Sequence, residues 1–166
     1  MKCNSAQANK LLKKLNEEYN SVLEKENKTS TFHVAMGENP ESLRPKYDYD
    51  GTKEKIASLE KQIRTVKHAL NIFNTTHLVP GFDMTVDEIL VYIPQLTKQK
   101  TKLQEMRNRS EKERVQERFF NSVDYIYTNY DMGKVEADYQ IVSEELSKVQ
   151  LALDKLNNTE MIEIDI

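Results

Sequence analysis

Apolar positions recur at alternating spacings of three and four in four separate stretches of the chain, and each stretch reads as a helix with one apolar stripe. The first carries Ala8, Leu12, Leu15, Tyr19 and Val22 and predicts a helix over about 6–27. The second, Ile56, Leu59, Ile63, Val66, Leu70 and Phe73, is the most regular and predicts a helix over about 52–73, with Asp50 or Thr52 available to accept the unpaired N–H groups at its start. Thr85 and Glu88 have the spacing of a capping box and open a third helix over about 85–109, striped by Ile89, Ile93, Leu96, Leu103 and Met106. Lys100 interrupts this stripe and Pro94 lies inside it, so the third helix should kink or restart there. The fourth stripe is Val135, Tyr139, Val142, Leu146, Val149, Leu153 and Leu156, for a helix over about 133–157.

Between these stretches the period changes. Residues 31–36 are compatible with a short strand inside a connector punctuated by Gly37, Pro40 and Pro45. Residues 119–128 are dense in aromatic and β-branched side chains, and Val123, Tyr125 and Tyr127 alternate with Asp124, Ile126 and Thr128, which predicts a second strand. The tail 161–166 alternates Ile162, Ile164 and Ile166 with Glu163 and Asp165 and reads as a closing strand that pairs with the Val123 or the Phe32 region. The expected fold is mainly α: a long antiparallel hairpin of the second and third helices, or a four-helix coiled-coil-like bundle, with a small β-sheet from the connector and C-terminal strands. One domain spanning 1–166 accommodates all of it.

Size and charge refine this picture. A chain of 166 residues buries enough surface to need no staple, and its single cysteine, Cys3, excludes an internal disulfide framework. The longest strictly apolar run, 89–93, is far short of a membrane span, and the first fifteen residues lack the apolar core of a secretory signal. A cytoplasmic location with no membrane partner is the expectation. The net charge of −3 argues against a globally basic, nucleic-acid-coating protein. Charge is unevenly spread, however: 98–118 holds eight basic and four acidic residues, against 16 basic and 23 acidic elsewhere.

Candidate chemistry is sparse. His33, His68 and His77 lack the spacing of a zinc site, the pairs Glu17-Glu18 and Glu144-Glu145 cannot share a helix face, and no nucleophile elbow or phosphate loop is present, so neither a catalytic residue nor a metal or cofactor is predicted. In the basic segment, Lys98 and Lys102 share a helical face, as approximately do Arg107, Arg114 and Arg118, and these five form a candidate anion-binding stripe. Against that, Glu105 and Glu113 lie four residues from Arg109, and Glu111 three from Arg114, which on a helix gives a self-neutralised surface. Tyr47, Tyr49, Tyr125, Tyr127, Tyr130 and Tyr139, flanked by Asp48, Asp50, Asp124 and Asp131, suit either the covering of helix ends or a binding surface.

Three runs carry a family resemblance: Ala69-Leu70-Asn71-Ile72-Phe73-Asn74-Thr75-Thr76, then Gly81 to Leu90 with its Gly-x-x-Met-Thr start, and Val149 to Glu163 with its Asn-x-Thr-Glu type ending. In these the chain resembles a family of small bacterial helical proteins, some of which carry the name septicolysin. The resemblance implies a helical hairpin core, and it makes Asn71, Asn74, Thr76, Gly81 and Thr85 the turn that joins two helices, a place for capping or for partner binding. Pro94 and the longer C-terminal strand segment depart from the family pattern. Nothing in the chain resembles the membrane-inserting segment that a cytolysin requires.

The expectation is therefore a non-enzymatic interaction or scaffold protein that acts through helical packing and self-association, as a homo-oligomer or with another protein. The alternative is a nucleic-acid-associated protein that uses 98–118.

Overall fold

The computed structural model describes residues 1–115 and 124–166, and it is mainly helical. In chain order the elements are β1 (Lys2–Asn4), α1 (Ser5–Thr29), α2 (Pro40–Leu43), α3 (Tyr49–Thr76), α4 (Val86–Arg107), β2 (Lys112–Arg114), β3 (Tyr125–Tyr127), α5 (Met132–Thr159) and β4 (Met161–Glu163). The chain divides into two compact units, Met1–Thr76 with Asn157–Ile166, and His77–Leu156.

In the first unit α1 packs along α3. The side-chain pairs fix an antiparallel arrangement: the Tyr19 hydroxyl donates to Glu60 at 3.3 Å, Lys55 meets Glu18 at 3.0 Å, and near the other end Tyr47 donates to Glu26 at 2.7 Å. Ala8 and Leu15 of α1 are buried, as are Leu59, Val66, Leu70 and Phe73 of α3, so the three-four spacing fills one shared seam. The start of α3 differs from expectation. Its first turn is closed by Asp48, whose carboxylate accepts the Gly51 N–H at 3.1 Å, rather than by Asp50 or Thr52, and the helix begins earlier in consequence.

Strand β4 pairs antiparallel with β1, Cys3 opposite Ile162 and Lys2 opposite Glu163. This corrects the expected pairing with the Phe32 region. The alternation of the tail is as read, for Ile162 and Ile164 are buried, but their cover comes from the first residues of the chain. No strand forms at 31–36. An isolated extended segment leaves its ladder groups unpaired, and here the chain turns instead at Gly37 (φ +94°), with the Glu38 N–H donating to the Ala35 carbonyl at 3.1 Å. Phe32 lies beneath the Arg44 guanidinium, 5.4 Å from its ring centre.

In the second unit α4 packs with α5. Helix α4 runs unbroken through Pro94, and Lys100, the apparent defect in its stripe, lies with its ammonium 5.7 Å from the Tyr139 ring of α5. Arg107 is closer, at 4.3 Å from the same ring, and forms an ion pair with Glu136 at 2.9 Å. At the opposite end Tyr92 contacts Glu145, so this pair also runs antiparallel. Val86, Ile89 and Leu96 face inward, as do Val135, Leu146, Val149, Leu153 and Leu156.

Candidate binding surface

Helix α4 ends at Arg107, with Asn108 as its C-cap, two residues before the expected end. That early end changes the meaning of the basic segment. Residues 112–114 are then free to extend, and β2 pairs antiparallel with β3 in the register Lys112 to Tyr127, Glu113 to Ile126 and Arg114 to Tyr125. Two more backbone bonds lengthen the ladder, from the Val115 N–H to the Asp124 carbonyl at 2.9 Å and from the Thr128 N–H to the Glu111 carbonyl at 3.1 Å. Of the strand predicted over 119–128, the part 119–123 lies outside the described residues, as does Val123 as a partner for the tail.

Successive strand residues point to opposite faces, so this register sorts the side chains. Lys112, Arg114, Tyr125 and Tyr127 share one face. Glu113, Asp124 and Ile126 share the other. The Lys112 ammonium lies 4.2 Å from the Tyr125 ring centre and 5.3 Å from that of Tyr127, which confirms the shared face by direct contact. All six residues of the two strands are exposed, with Tyr125 at 46%, Ile126 at 61% and Tyr127 at 61%.

The helical ion pairs anticipated between Glu105 or Glu113 and Arg109, and between Glu111 and Arg114, are absent among the described residues. The reason is geometric. A spacing of three or four brings side chains together only on a helix, and the chain is no longer helical beyond Arg107. The same change separates Arg107 from Arg114. Arg107 is half-buried between Glu136 and Tyr139, Arg114 stands on the ribbon, and Arg118 lies outside the described residues. Lys98 and Lys102 are exposed one turn apart on α4 beside a shallow groove of 630 Å³, with Glu105 on its rim.

The Asn/Thr-rich turn is engaged in local structure. Asn71 and Asn74 lie within α3, and the Thr76 hydroxyl donates to the Ile72 carbonyl at 2.7 Å. Gly81 occupies the left-handed region (φ +86°), where an L side chain is strained. Thr85 donates its N–H to Glu88 at 2.7 Å, and its hydroxyl also lies 2.8 Å from that carboxylate; these bonds hold the Glu88 carboxyl below its ordinary range.

A pocket of 580 Å³ opens between α1 and the start of α3, walled by Val22, Tyr47, Glu26, Lys25, Lys46 and Lys55. The hydrogen bond to the Glu26 carboxylate, with burial and the charge of that carboxylate, pushes the Tyr47 phenol up to about 12. Tyr19 and Tyr92 are also raised, mainly by burial, with Glu60 and Glu145 adding to the effect.

No family model and no curated protein matches the chain. Among solved structures, a functionally unknown conserved protein from Corynebacterium diphtheriae is similar over 98% of this chain and 100% of its own, with a TM-score of 0.62 and 14% identity. The two share a fold. No described helix is long and apolar enough to cross a membrane.

Proposed function

We propose that the chain is a non-catalytic interaction module of the cytoplasm and that the β2–β3 ribbon is its contact surface. One observation carries this reading: the ribbon exposes three consecutive large side chains, Tyr125, Ile126 and Tyr127, on an element whose residues are all exposed. Large exposed side chains gathered on one element mark a contact site where the same residues scattered singly do not. The shifted titratable groups fit the non-catalytic part, since their partners are structural: Tyr19 and Tyr47 hold α1 to α3, Tyr92 joins α4 to α5, Glu88 caps α4, and Glu24 and Glu41 pair locally with Lys28 and Arg44. The fold shared with a functionally unknown bacterial protein fits a bacterial helical family for this chain, and the resemblance to the family in which septicolysin is named rests on its sequence runs alone.

Thermal unfolding tests it. Replacing Tyr125, Ile126 and Tyr127 together by Ser should move the melting midpoint by no more than about 5 °C, as for three surface substitutions. A drop comparable to that of a core variant such as Ile89→Ala would show that the ribbon serves the fold and would overturn the proposal.

Self-association through a helix is a second reading, favoured by Ile141 and Leu151. Leu151, 68% exposed, lies on the side of α5 away from Val149, and Ile141, 65% exposed, lies on the flank about 80° from each of them. A solution mass of one chain at every concentration would remove it, and a dimer dissociated by Ile141→Lys with Leu151→Lys would establish it.

A further inference from the structure

We infer that the Lys112, Arg114, Tyr125 and Tyr127 face of the ribbon binds single-stranded nucleic acid. The inference rests on the ribbon's being a contact surface and names what it contacts. Two tyrosine rings stand two residues apart on one strand, about 7 Å from each other along it. Directly across the ladder each ring has a cation as its partner, Lys112 for Tyr127 and Arg114 for Tyr125. The unit that repeats is a ring beside a cation. A nucleotide has the complementary unit, a base whose flat face stacks on an aromatic ring and a phosphate that pairs with a cation.

The rest of the geometry selects among anionic partners. Among the described residues Lys112 and Arg114 form no ion pair, and the contacts of Lys112 are the two tyrosine rings. The acidic side chains Glu113 and Asp124 fall on the reverse face, which turns one side of the ribbon toward an anion and the other away from it. An acidic peptide would use the two cations and leave the rings idle. A duplex keeps its bases stacked on each other and offers no face to Tyr125 or Tyr127, whereas an unpaired strand offers one at every nucleotide. The ammonium of Lys112, which rests on both rings, has a flexible stem long enough to swing toward a phosphate as a base takes its place. With a chain charge of −3 opposing approach elsewhere, binding should be weak and strongly salt-dependent.

The test is fluorescence anisotropy of the full chain with labelled oligothymidylate, labelled oligouridylate, a duplex of the same length, and polyglutamate as competitor. Expected at about 50 mM salt is tighter binding of the single strands than of the duplex, weakening with a slope near −1.4 in log K against log salt for two neutralised phosphates. The DNA and RNA arms show whether the sugar matters, and either result leaves the stacking surface in place. Tyr125→Ala with Tyr127→Ala should weaken single-strand binding by at least about 10-fold. Absence of single-strand binding at low salt, preference for the duplex, binding unchanged in the tyrosine variant, or displacement by polyglutamate at equal charge would each overturn the inference. Should the oligonucleotides fail while the serine variant keeps its melting midpoint, the contact surface stands and only its ligand is wrong. A lowered midpoint removes both.

Discussion

The Lys112 ammonium lies 4.2 Å from the centre of the Tyr125 ring, across the two strands of a ribbon whose residues are all exposed. An exposed contact of this kind contributes about 0.5–1 kcal/mol, enough to hold the ring and the cation on one face but weak enough to yield to a ligand. Replacing Lys112 with Gln should therefore have two separable effects. The melting midpoint stays within about 2 °C of the parent. The salt dependence of oligonucleotide binding, measured by anisotropy across a salt series, becomes shallower by about 0.7 in slope, the share of one phosphate contact. An unchanged slope would remove Lys112 from the contact.

Cys3 reports on the pairing that brings the first and last described strands together. It lies opposite Ile162 at 5% exposure, and the Ile164 N–H donates to the Met1 carbonyl at 2.8 Å just beyond. Ile164→Ala removes a side chain that is 1% exposed and should cost about 2–5 kcal/mol in the first unit. The Cys3 thiol, slow toward a disulfide reagent in the parent, should react much faster in the variant. Equal rates in both would mean that β4 does not cover Cys3.

Tyr47 makes the junction of α1 with the start of α3 sensitive to alkali. Its phenol is raised from 10.0 to about 12 by the Glu26 carboxylate that accepts its proton. A group whose folded pKa is raised stabilises the fold fully below its unfolded value and loses that stabilisation as pH climbs through the folded one. The window is thus pH 10 to about 12. Absorbance titration should show late tyrosinates for Tyr19, Tyr92 and Tyr47 in the parent and one fewer in Tyr47→Phe, and that substitution should flatten the fall of the melting midpoint over the window. A number of late tyrosinates unchanged by Tyr47→Phe would assign the shift elsewhere.

Much of the helical structure was legible because a buried helix stripe repeats at 3.6 residues for many turns. The run from Ile56 to Phe73 is an example, and its neighbours Leu59, Val66, Leu70 and Phe73 are buried as spaced. Short strands offer no such redundancy. Lys2–Asn4 has three residues, one of them apolar, and runs straight into α1, so the partner of β4 escaped detection. Its one signal was Cys3, apolar between two polar residues ahead of the Asn4 cap. Residues 112–114 were misread for a different reason. Glu111 and Arg114 at a spacing of three satisfy a helix surface and a strand equally well, and only the end of α4 at Arg107 separates the two.

The binding face was the least legible feature, because it depends on register. Tyr125 and Tyr127 stand out in the sequence, and Lys112 and Arg114 stand out in the basic segment. Nothing in either stretch aligns them. A slip of one residue would place Ile126 opposite Lys112, bring Asp124 to the face of the cations and leave the tyrosines with Glu113. The observed register, Lys112 to Tyr127 and Arg114 to Tyr125, separates them.

That separation gives the most direct test of the contact surface. Two double variants, Tyr125→Ser with Tyr127→Ser and Glu113→Gln with Ile126→Ser, alter opposite faces of the same ribbon. Binding of oligothymidylate by each is measured at low salt. The ribbon account predicts at least about a 10-fold loss for the tyrosine pair, and for the Glu113 and Ile126 pair no loss, or a small gain from the removed negative charge. Equal losses in the two variants, or a loss confined to the second, would contradict it.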